Sequence, residues 1–139
     1  YVALDEQSTL VTGEAAMAMV YNGDALMVQE FHEDIVFVVP DEGTNLWVDY
    51  LTLSSTARNP DLALAFINFL NEPEHAAQLA EYLYYPTSNK SAEKLLPAEF
   101  LEDTQIYPDE AVLAKSETYG KLPARATKRR NELFSRVLE

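Results

Sequence analysis

The chain has 139 residues, 47% hydrophobic and 24% charged, and no cysteine. That length can build one domain with a packed core, and the missing thiols exclude disulfides and thiolate metal sites. A net charge of −13 repels nucleic acid and anionic lipid and favours cationic partners.

No apolar run reaches the roughly 18 residues of a membrane span. Residues 1–20 lack a basic start and carry Asp5, Glu6 and Glu14, so they do not read as a secretory signal. The apolar run "AAMAMVY", 15–21, predicts a buried strand, and Asn22-Gly23-Asp24 a turn. A short helix is expected from Ala25 to Phe31. "IVFVVP", 35–40, is β-branched and aromatic and predicts a strand, and "LWVDYLTL" predicts another from Trp47 to Leu53.

The period then changes. In "NPDLALAFINFLNEP", Leu62, Phe66, Phe69 and Leu70 share a helical face, with Asn59 as N-cap and Pro60 at the first helical position. A second helix starts at Pro73, with Ala76, Leu79, Ala80 and Leu83 in one stripe. "YYPTSN", 84–89, is a loop in which Pro86 holds Tyr85 extended. Short helices are predicted at 90–96, 98–103 and 109–115. The last helix spans about 123–138, with Ala126, Arg130, Leu133, Phe134, Val137 and Leu138 on one face. Its Lys128-Arg129-Arg130 cluster reads as a solvated helix end.

Strands lie in the first half and helices in the second, and three short strands cannot make a large sheet alone: the chain is either a small α+β unit or one whose sheets need strands from elsewhere. Candidate site residues stand where apolar elements end: Tyr21, Asn22, Asp24, Trp47, Asp49 and Tyr85. Side chains alternate along a strand, so Trp47 and Asp49 share one face. Aromatic faces beside carboxylates suit an organic cation, whose methylenes stack while its charge is neutralised. Two other readings stand beside this one. Trp47 can be a core residue with Asp49 an exposed strand end, and Asp24 with Asp49 can be a glycosidase-like acid/base pair. No nucleophile–base motif supports the latter. His32 and His75 lack ligand partners at metal spacing, and neither a metal nor a cofactor is expected.

"GEAAMAMVYNGDA", "VVPDEGTNLWVDYLTL", "NPDLALAFINFLNEPEHAAQLAEYLYYPTSN" and "IYPDEAVL" together resemble the C-terminal part of the spermidine/putrescine-binding proteins of polyamine ABC transporters, over roughly residues 8–115. The order W-x-D, N-P-x-x-A-x-x-F-I-N-F-L, Y-P-T-x-N carries most of that likeness. It implies a type II periplasmic-binding-protein fold with two α/β lobes and a ligand cleft between them. On that pattern Tyr21 stands at the family's first aromatic position, where Trp is common, and Asp24 at the carboxylate of N/S-G-D, where some members have Ser. Trp47 and Asp49 match its W-x-D pair, and Tyr85 the aromatic of Y-P-T. The implied role is periplasmic capture of putrescine or spermidine for delivery to ABC transporter permease subunits, without catalysis.

Two departures accompany the resemblance. The family's glutamine before its last helix has no counterpart in "KSETYGKLPAR". Family members also run to more than twice this length, so residues 1–139 are expected to be a C-terminal portion contributing to both lobes. Such a piece alone is expected to self-associate. A ligand-sensing or interaction domain on the same fold, or a binder of another small organic cation, is the alternative.

Overall fold

The computed structural model describes residues 7–137, within which seven helices and two short strands are laid out. The first helix, α1 (Asn22–Gln29), begins on the residues expected to form a turn. Tyr21 is extended and its carbonyl accepts the Ala25 N–H at 2.9 Å, while Asp24 places a carboxylate in the first turn, at the positive end of the dipole. Ala25 and Val28 bury one side of this helix.

The strands expected at 15–21, 35–40 and 47–53 are corrected by the structure. Only β1 (Asn45–Leu46) forms a ladder, parallel to β2 (Glu117–Thr118). A strand is held by its neighbour's N–H and C=O groups, and the described residues offer none to the other segments. Met17 and Met19 of the first are exposed at 89% and 99% rather than buried. The second keeps a strand's alternation, Ile35, Phe37 and Val39 half-buried and Val36 and Val38 exposed, without the ladder.

The helices follow the sequence more closely. Pro60–Leu70 forms α2 and Pro73–Leu83 forms α3, each with proline in its first turn. Short helices α4 (Lys90–Glu93), α5 (Ala98–Glu102) and α6 (Glu110–Lys115) follow, then α7 (Ala124–Val137). Leu138, expected to close the last helix, lies outside the described residues. Among the described residues no helix is long and apolar enough to cross a membrane.

The core lies between α3, α4, α5 and the turn after it. Ala77, Ala80, Ala92, Leu96, Phe100 and Ile106 form one buried cluster, with Leu26, Ala76, Tyr84 and Tyr107 packed against it. The buried stripe of α3 is therefore Ala76, Ala77 and Ala80. Leu79 and Leu83, expected in it, are instead 42% and 38% exposed. Helix α2 buries no residue, so its Leu62–Phe66–Phe69 stripe is an apolar face turned outward.

Candidate functional site

The aromatic residues singled out in the sequence meet around Trp47. Its ring lies 5.1 Å from Tyr21, tilted at 53°, and 5.2 Å from Tyr85, edge-on at 74°. Both are separations at which ring quadrupoles attract. Trp47 is half-buried and takes no part in the alanine-rich core, so its packing partners are these two tyrosines.

Three chain segments supply the rings. Tyr21 caps α1 at its N-terminal end. Trp47 follows β1, whose approach to the end of α6 needs Gly43: φ there is +99°, and a Cβ would stand 2.2 Å from the Lys115 carbonyl oxygen. Tyr85 opens the loop after α3. That helix ends on Tyr84 in the left-handed region, φ 56° and ψ 35°, a conformation rare for a bulky residue. Tyr84 is held there by core packing and by its hydroxyl, which donates to Glu30. Further along the loop, the Thr87 N–H donates to the Tyr107 hydroxyl at 3.3 Å. The Asn89 amide donates to the Asn71 carbonyl at 2.8 Å while its oxygen caps α4.

Both candidate carboxylates act on the same phenol. Burial is the main reason that the Tyr85 hydroxyl is pushed up to about 12; the charges of Asp24 and, more weakly, Tyr21 and Asp49 add to it, and a bond from the Asp24 backbone N–H works against it. Tyr85 is therefore neutral at physiological pH. Asp24 is half-buried, and desolvation raises its carboxyl above the ordinary 3.8. Asp49 is exposed. Among the described residues neither carboxylate has a lysine or arginine partner: the ion pairs there are His75–Glu72 and Lys128–Glu132.

The arrangement can therefore receive a cation along an aromatic wall with two acidic ends. No group of three or more His, Asp or Glu among the described residues could hold a metal. Asn22, named beside Tyr21 in the sequence, turns away, its amide donating to the Gln105 carbonyl at 2.8 Å. The sequence reading missed Gly23. The Tyr85 ring lies against its bare Cα, and the only signal, the N-G-D string, had been read as a turn.

The profile of the family described as bacterial extracellular solute-binding protein matches residues 5–108. The spermidine/putrescine-binding periplasmic protein of Salmonella typhimurium is 39% identical over 105 residues, 76% of this chain and 30% of that protein. A norspermidine sensor of Vibrio cholerae is 35% identical over 139 residues, covering 99% of this chain and 39% of the sensor. Among solved structures, the substrate-binding protein PotD of a Streptococcus pneumoniae spermidine/putrescine ABC transporter superposes with a TM-score of 0.69. It is 41% identical, over 82% of this chain and 35% of that one. The chain thus spans about a third of the length of the curated relatives it matches. Likeness at this identity carries the fold: the chain is part of a two-lobed type II solute-binding architecture.

Proposed function

We propose, from the premise that this chain belongs to the bacterial extracellular solute-binding proteins, that it is the C-terminal portion of a longer two-lobed protein that holds a polyamine in its cleft. One observation carries the reading: two carboxylates without a lysine or arginine partner among the described residues act on Tyr85, in a cluster where Tyr21 and Tyr85 each pack on Trp47. A diamine or triamine complements that arrangement. Trp47, Tyr21 and Tyr85 cover its methylenes, and Asp24 and Asp49 take its ammonium groups. A carboxylate-bearing ligand would meet repulsion from both.

The names of the relatives agree with this chemistry, and with periplasmic capture followed by delivery to ABC transporter permease subunits. The role we assign is binding rather than catalysis, because the matching family is one of solute-binding proteins. The net charge of −13 argues against a nucleic-acid partner. A second reading draws on the Vibrio sensor, similar over almost the whole chain: the same cleft reports polyamine to a signalling partner instead of a permease.

Calorimetry on the full-length protein tests the ligand class. Saturable binding of putrescine or spermidine, with none for anions or sugars, is the expected result. Binding of a sugar or anion alone would overturn it. Polyamine uptake by a strain lacking the protein separates the two roles: a transport component abolishes uptake when deleted, whereas a sensor leaves it intact.

A further inference from the structure

A glycine inside a helix weakens it relative to alanine, yet Gly23 stands in the first turn of α1. Its backbone does not demand glycine, since the left-handed glycines are Gly13 and Gly43. Space demands it. A Cβ on Gly23 would lie 2.6 Å from the Leu83 carbonyl oxygen and 2.6 Å from each of Cε2 and Cζ of Tyr85. The same tyrosine ring stands edge-on to Trp47 at 5.2 Å. Helix α1 therefore meets the 84–85 turn at both of its ends. Glu30, just past its last turn, accepts the Tyr84 hydroxyl, and Gly23 in its first turn receives the Tyr85 ring.

We propose that Gly23 is a positioning residue of the ligand site, its bare Cα being the seat that sets the Tyr85 ring against Trp47. The proposal deepens the polyamine reading and rests on it for its affinity readout. Adding one methyl group moves the ring off its seat, because Gly23 is confined by helical hydrogen bonds and the Leu83 carbonyl cannot rotate away without breaking the end of α3. The ring swings, its edge contact with Trp47 is lost, and the aromatic wall opens.

The test uses the full-length protein with 5-fluorotryptophan incorporated, the Trp47 fluorine resonance being assigned by its disappearance in Trp47→Phe. Gly23→Ala, Tyr85→Ala and the double variant are compared. In Gly23→Ala the Trp47 resonance should move in the absence of ligand, and putrescine or spermidine affinity should fall by up to about tenfold, the size of a lost aromatic pair contact. The double variant should bind no more weakly than Tyr85→Ala, because the seat has no purpose without the ring. An unmoved resonance with unchanged affinity, or losses that multiply in the double variant, would overturn the proposal. Should Gly23→Ala fail to fold, the double variant decides. Recovery of folding with the affinity of Tyr85→Ala supports the seat, and continued failure overturns it by assigning Gly23 to the Leu83 carbonyl alone. If the wild-type protein binds no polyamine but the resonance still moves, the ligand reading falls and the seating of Tyr85 against Trp47 stands.

Discussion

At Asp49 and Asp24 the same functional group sits in two environments, and each calls for a different measurement. Asp49 is exposed, yet its charge is felt by the Tyr85 phenol. A bound ammonium that covers it would make a desolvated charge pair, and Asp49→Asn should then cost about 2–5 kcal/mol of binding, or roughly 30-fold to several thousand-fold. That loss should persist at high salt. A loss of about 1 kcal/mol or less that fades with salt would place Asp49 outside the ligand's contact shell. Asp24 is half-buried and desolvation raises its carboxyl above 3.8. With a raised folded value, its contribution to stability is present below 3.8 and is lost as pH climbs through the raised value. Polyamine binding needs the opposite, ionised form. Affinity should therefore fall on acidification through a midpoint above 3.8, with proton release on binding in that range. Calorimetry in buffers of different ionisation enthalpy would register the proton, and Asp24→Asn should abolish the pH dependence while lowering affinity.

Among the elements, the 84–89 loop shows how a short segment is held without regular structure. Asn89 closes it at one end: its side-chain oxygen accepts the N–H groups of Ser91 and Ala92, and its amide reaches the Asn71 carbonyl between α2 and α3. Replacing such a cap by alanine costs about 1 kcal/mol, with a range of roughly 0.5–2. Asn89→Ala loses the cap and the tie to Asn71 together, whereas Asn89→Asp keeps the cap acceptor and loses only the tie. Denaturant unfolding should rank stability as wild type, Asn89→Asp, Asn89→Ala. Equal losses in the two variants would show that the cap contributes nothing and the tie everything. Helix α2 illustrates the reverse case. Its start at Pro60 and its stripe were predicted from the sequence, but none of its residues is buried.

Across the whole molecule, apolar surface exceeds what the core covers. Leu62, Phe66, Val36, Tyr50 and Phe134 all stand more than half exposed, and the 35–40 and 47–53 segments form no ladder with other described residues. Surfaces of this kind drive association. The 139-residue chain expressed alone should therefore form oligomers or aggregates, detected as a concentration-dependent mass in light scattering. A monomer at all accessible concentrations would mean that these faces close on one another in solution. The same chain should bind polyamines far more weakly than the full-length protein, because a cleft derives affinity from burial between two walls and the cluster here presents one.

Local chemistry was legible in the residues themselves. Pro60 and Pro73 mark helix starts because proline's fixed φ suits the first turn and its missing N–H costs nothing there. The short helix expected at 109–115 forms as Glu110–Lys115. The order W-x-D, N-P, Y-P-T placed Trp47, Asp49 and Tyr85 in a named family before any coordinates. Pairing and placement were not legible, because each depends on what stands opposite. Residues 35–40 have a strand's composition, but a strand exists only where a neighbour completes its ladder. "NGD" carries the strongest turn signal in the chain, yet it opens a helix, since Ala25 and Val28 find cover and Tyr85 fills the space above Gly23. Tertiary contact alone brought the Tyr21 and Tyr85 rings each to about 5 Å from Trp47, although the two tyrosines stand 64 positions apart in the chain.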